Sequence, residues 1–299
     1  MRILSKLTII CVVSLLFLSS CSSKDTIKIG AATFTESKII AQIYKQLIED
    51  RTDIEVDVIP DLLSTPMILK AMDRGDIDMS LMYSGVVFNN FFPVESTKDR
   101  DEVLKIAKEG FNKYYDFKWF DPLGWENTYA VTVRKEEADE KNLQNISDLE
   151  PYQDSMKLGV DSSWKERTED GYRPFSKYYG LNFQNLYAMD INLLYQAVGT
   201  KDVDVVVAYS TDPRIIEYDL KVLKDDKRFF PPYDASMVAR NAILKEHPEV
   251  EGIIDELTGK IDAETITKLS YEVDIKNRSE RDVAKEFLTE RGLLGDKSE

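Results

Sequence analysis

Val203 to Tyr209 is apolar at every position except Asp204, and few architectures can hold such a run. It reads as a strand buried on both faces, the signature of a parallel sheet packed between helices. The rest of the chain supplies the helices. Thr26 to Gly30 reads as a strand entering a sharp turn, and Thr33 to Glu36 opens an amphipathic helix that runs to about Asp50. Ile39, Ile40, Ile43, Leu47 and Ile48 recur at helical spacing, and Thr33 or Thr35 is placed to cap its start. Ile54 to Ile59 alternates as a second strand, Thr65 to Arg74 is a helix stopped by Gly75, and Ile77 to Tyr83 is a third strand.

The pattern returns after residue 130. Met156 to Val160 predicts a strand, Phe175 to Tyr179 a helix stopped by Gly180, Leu186 to Met189 a strand, and Ile191 to Val198 a helix. Strands alternating with helices predict an α/β fold, and two such blocks predict two lobes. From Asn241 the chain turns helical, over Asn241 to Lys245, Glu249 to Leu257, Ala263 to Tyr271 and Glu280 to Arg291, the last stopped by Gly292.

The first twenty residues read as an export leader, not as part of the fold. Arg2 and Lys6 precede an apolar core from Leu7 to Leu18, and small residues lead to Cys21. That core is about twelve residues, short of the roughly twenty that span a bilayer. Leu18-Ser19-Ser20-Cys21 resembles a lipobox, so Cys21 is the expected lipidation site, on a tether of residues 21–26. Cys11 leaves with the leader, which makes Cys21 the only mature thiol. A secreted chain without a disulfide must be held together by burial, and about 280 remaining residues suffice for two lobes.

Charge narrows the partners. The formal net charge is -15, or about -17 once Arg2 and Lys6 are removed. So acidic a surface argues against nucleic acid or anionic lipid as ligand. It is compatible with attracting a cation, although solubility alone accounts for it.

Catalytic constellations are hard to find. His247 is the only histidine, beside Pro248 at a helix start, so histidine-based zinc sites and nucleophilic triads are excluded. Asp73, Asp76 and Asp78 lack the spacing of a calcium loop and read as a solvated turn. No phosphate-binding loop follows Gly30. No cofactor and no metal are expected. The tyrosines are more informative. Tyr83 and Tyr209 end strands, Tyr129 lies between the two blocks, and Tyr233 stands where the chain returns toward the first lobe. Ligands of open α/β sheets bind beyond the carboxyl ends of strands. Four tyrosines at such points can face one cleft and cage a methylated ammonium through their π-faces. Each can equally serve packing or a lobe interface.

At these residues the chain resembles the substrate-binding lipoproteins of osmoprotectant importers, the ATP-binding-cassette systems for glycine betaine, carnitine, choline and related solutes. The matching stretches are Ile29 to Glu36, Gly75 to Asp78, Tyr83-Ser84-Gly85, Asn127 to Ala130, Val205 to Asp212, and the closing helices from His247 to Leu294. The resemblance implies a two-lobed periplasmic-binding-protein fold of type II, with two crossover strands as hinge. It implies lobe 1 over 27–129 and 230–299, lobe 2 over 130–229, and a ligand that closes them. It also implies that Tyr83, Tyr129, Tyr209 and Tyr233 form the cage. Thr35, Ser84, Asn127 and Thr211 are candidates for the ligand's polar end, at helix starts that favour anions. Two departures bear on the ligand: Ala31-Ala32 stands where many relatives are polar, and Val86 follows Gly85 where many have Thr, Asp or Gln. Both put glycine betaine itself in doubt more than its class.

The expected function is therefore a non-enzymatic receptor, acting as a monomer and lipid-anchored on the extracytoplasmic face of the cell membrane. It would hand a quaternary ammonium compound to permease and ATPase subunits carried on other chains. An amino acid, or a sulfonium or thiolated betaine, is the alternative on the same fold. A secreted hydrolase, or an adhesion or sensor lipoprotein, are the alternatives from other classes.

Overall fold

The computed structural model of the protein describes residues 26–295 apart from 96, 168 and 169. The leader, Cys21 and nearly all of its tether lie outside the described residues. Two five-stranded mixed sheets organise the chain. The first holds β1 (Thr26–Ala32), β2 (Glu55–Leu62), β3 (Met79–Tyr83), β4 (Phe117–Trp119) and β10 (Ala235–Arg240), in the order β2-β1-β3-β10-β4. The second holds β5 (Tyr129–Arg134), β6 (Lys157–Asp161), β7 (Asn185–Met189), β8 (Val205–Tyr209) and β9 (Leu220–Val222), in the order β7-β6-β8-β5-β9. In each sheet three strands run parallel, and the strand arriving from the other lobe enters antiparallel: β10 beside β3, β5 beside β8.

The two sheets repeat one local device. Asp78 and Asp204 each stand just before the central strand. Asp78 accepts the Lys28 backbone N–H at 2.9 Å and the Arg240 guanidinium at 3.0 Å. Asp204 accepts the Lys157 N–H and the Arg134 guanidinium, both at 2.9 Å. The turn before each passes through the left-handed region, at Gly75 (φ 75°) and Lys201 (φ 66°). Asp73 and Asp76 are exposed, as a solvated turn requires, but Asp78 is only 7% exposed, which corrects that expectation for Asp78 alone. The carboxylate ties first strand, central strand and crossover strand together, a role that burial makes valuable.

The core follows the apolar periodicities. Helix Thr35–Arg51 buries Ile39, Ile40, Ile43, Leu47 and Ile48 against β1 and β2, and the C-terminal helices cover it. Its N-cap is Phe34, with no side-chain cap bond, so neither Thr33 nor Thr35 caps it as expected. Arg100–Tyr115, where the pattern predicts no element, is a sixteen-residue helix. Asp99 caps it by accepting the Glu102 N–H at 2.9 Å, and Val103, Ala107 and Phe111 are its buried face.

Between the lobes the chain crosses twice, through 120–128 and back through 223–234. The two passages pair antiparallel. Glu126 bridges Asp234, the Asn127 N–H donates to the Tyr233 carbonyl at 3.0 Å, and the Ala235 N–H to the Trp125 carbonyl at 3.0 Å. Asp234, 1% exposed, is gripped by Arg100, whose Nε lies 2.8 and 2.9 Å from its two oxygens. The hinge is thus a hydrogen-bonded ribbon anchored to the first lobe. The architecture is that of type II periplasmic binding proteins.

Candidate ligand-binding site

A cavity of about 670 Å³ opens between the sheets, beside the hinge. Tyr83, Tyr129, Tyr209 and Tyr233 all line it. Their positions follow from the strands. Tyr209 closes β8 and faces Tyr129, the first residue of β5, in register across the ladder. The two rings lie 5.4 Å apart at 32°, a cross-strand aromatic pair. Tyr83 closes β3 opposite Ala235, two residues beyond Tyr233. Tyr233 rests on Gly85, where a Cβ would come within 2.5 Å of its ring. Glycine after Tyr83-Ser84 is therefore required by the fourth tyrosine. Burial raises the pKa of all four phenols, and at Tyr83 the neighbouring Glu36 carboxylate adds to it. Neutral, electron-rich faces suit a cation.

Glu36, in the first turn of helix Thr35–Arg51, is the polar centre of the cavity wall and is only 4% exposed. Its Oε1 accepts the Tyr83 hydroxyl and the Asn127 Nδ2 amide, the latter at 2.6 Å. Its Oε2 accepts the Thr211 hydroxyl at 2.7 Å. Burial pushes its carboxyl above the ordinary range, against the pull of those three donors. Residues from lobe, hinge and opposite lobe thus meet on one carboxylate. Asn127 and Thr211, expected to face the ligand, line the cavity but direct these donors to Glu36.

The other polar candidates divide. Thr35 lines the cavity and donates to Asp274 Oδ1 at 2.6 Å. Ser84 is fully buried and is not among the lining residues. Its Oγ accepts the Asp234 N–H at 2.9 Å, so it holds the crossing segment. Ala31 and Ala32 likewise do not line the cavity. They lie in the core, with the Ala32 N–H on Ser37 Oγ at 2.9 Å. Val86 does line it, so of the two departures from the resemblance only Val86 touches the site.

Among the lining residues that sequence reasoning missed as site residues are the charged Glu36, Arg167, Arg214 and Asp274, and Ser270. Arg167 lies 5.7 Å from the centre of the Tyr129 ring. It is fixed by Asp170, with Nε–Oδ1 at 2.5 Å and Nη2–Oδ2 at 2.9 Å. Arg214 lies 4.0 Å over the Tyr195 ring and is bidentate to Asp212 at 2.8 and 2.6 Å. Both guanidinium charges are matched by carboxylates, which leaves Glu36 and Asp274 to set the sign of the cavity. The i,i+3 spacing of Arg167 and Asp170 was a readable signal. Ser270 and Asp274, from helix Ala263–Asp274, carried none.

The family described as the substrate binding domain of ABC-type glycine betaine transport systems matches residues 25–290. The chain is 42% identical over 305 residues to the carnitine transport binding protein OpuCC of Listeria monocytogenes, covering 99% of each chain. It is 36% identical over 223 residues to the ergothioneine transport permease/ergothioneine binding protein EgtU of Helicobacter pylori, covering 75% of this chain and 40% of that protein. A crystal structure described as a glycine betaine/carnitine/choline ABC transporter superposes with a TM-score of 0.85 at 39% identity, covering 90% of this chain and all of the other. The chain belongs to the family of substrate-binding domains of ABC-type glycine betaine transport systems.

Proposed function

We propose that the protein captures a quaternary ammonium compound between its lobes, caged by Tyr83, Tyr129, Tyr209 and Tyr233, and releases it unaltered to the permease of an ABC importer. The lobes divide at 27–129, 130–229 and 230–299, and the receptor works as a monomer. Cys21 anchors it by lipid to the extracytoplasmic face, which puts it within reach of the permease. No helix among the described residues is long and apolar enough to cross a membrane.

One observation carries the reading: four tyrosines from both sheets and the hinge line a single cavity whose unmatched charge is acidic. A methylated ammonium offers no N–H, so faces and diffuse charge are what can hold it. A thiolated betaine is the second reading, favoured by the 36% likeness to a protein named for ergothioneine.

The test is a ligand panel of carnitine, glycine betaine, choline, ergothioneine and a plain amino acid, read by melting temperature and calorimetry. A ligand at one hundred times its Kd stabilises the folded state by about 2.7 kcal/mol. Methylated cations are expected to raise the melting temperature and the plain amino acid to leave it unmoved. Tight binding of the amino acid, or of none of the cations, contradicts the reading.

A further inference from the structure

Ser270 stands at the cavity wall, 2% exposed, and its hydroxyl has no hydrogen-bond partner among the described residues. The contrast within its own helix is informative. Thr267 returns its hydroxyl to the Ala263 carbonyl at 2.7 Å, as buried helical hydroxyls commonly do. An unsatisfied buried hydroxyl beside a ligand cavity is costly unless something fills the gap. A second unpaired atom lines the same cavity. Asn127 Oδ1 is buried without a partner among the described residues, and its identity as an acceptor is fixed because the Asn127 amide N–H donates to Glu36. Glu36 and Asp274 add carboxylate acceptors to this wall.

The aromatic cage needs no hydrogen bond from the ligand, so these atoms address another part of it. On the chain of a small methylated cation such as choline or carnitine, the group that can both accept from Ser270 and donate to a neighbouring acceptor is a hydroxyl. A carboxylate could accept from Ser270, but it would meet the like charges of Glu36 and Asp274 and leave Asn127 Oδ1 unpaired. We infer that the site selects methylated cations whose chain carries a hydroxyl, and that Ser270 is the residue that reads it. This rests on the quaternary ammonium reading above and narrows it to hydroxylated members of that class.

The experiment compares carnitine with γ-butyrobetaine, which differs from it only in lacking the hydroxyl, in wild type, Ser270→Ala and Ser270→Cys. Alanine favours the helix and cysteine keeps the bulk while bonding weakly; melting curves check that both variants fold. Wild type is expected to prefer carnitine about five- to tenfold, the worth of about one neutral hydrogen bond. Both variants should lose that preference while binding γ-butyrobetaine as wild type does. A wild type that binds the two compounds equally overturns the inference and leaves the cage reading standing. So does a variant that keeps the preference, or one that loses both ligands equally while folded. If wild type binds neither these nor any other methylated cation, the cage reading itself fails and the inference falls with it.

Discussion

Glu36 gathers Tyr83, Asn127 and Thr211 from three separate segments, and its burial gives the receptor a titratable centre. Its carboxyl lies above the ordinary 4.5 in the folded state because burial disfavours the charge. The sign follows by linkage. A group with a raised folded pKa contributes stability that is fully present below its unfolded value and is lost as pH climbs through the raised one. Glu36→Gln removes that loss while keeping an acceptor. Its melting temperature minus that of wild type should therefore grow more positive as pH rises from about 4 to about 7, as scanning calorimetry can follow. A difference that is flat, or that shrinks with pH, contradicts a buried, charge-strained Glu36.

At the level of elements, the paired carboxylates Asp78 and Asp204 do the same work in the two lobes. Replacing either with alanine should cost about 2 kcal/mol, because an N–H and a guanidinium lose their acceptor together. The two costs should add to within about 0.5 kcal/mol, the sites sharing no partner. Urea unfolding of both single variants and the double checks this. A single cost below about 0.5 kcal/mol sinks it. The central strands of both sheets, β3 and β8, were legible because burial on two faces writes an apolar run such as Val205 to Tyr209, and β2 was legible from its alternation. The stops at Gly75, Gly180 and Gly292 were legible because positive φ selects glycine. Helix Arg100–Tyr115 was not, since its buried residues are few and lie among charges. Strand β10 pairs Val238 with Ser80 across most of the chain, and no local pattern announces so distant a partner. The same division holds at the site. Tyrosines at strand ends could be read, whereas Ser270 acquires its meaning only when a C-terminal helix packs beside the first one.

For the molecule as a whole, the hinge ribbon and the shared cavity make ligand capture a property of both lobes together. Tyr83 belongs to the first sheet, Tyr129 and Tyr209 to the second, and Tyr233 to the returning passage of the hinge. On the proposed reading, a cation held between them has faces from both sides, so its charge would favour the closed arrangement over an open one. The chain's net charge of -15 favours approach of such a ligand at any ionic strength low enough to leave it unscreened. The most direct measurement is the calorimetric affinity for choline against 3,3-dimethylbutan-1-ol, which has the same shape and hydroxyl but a neutral tert-butyl group. Cation–π attraction of about 2 kcal/mol in a desolvated cage predicts at least tenfold tighter binding of choline. Equal affinities would mean that the tyrosines enclose an apolar shape and not a charge.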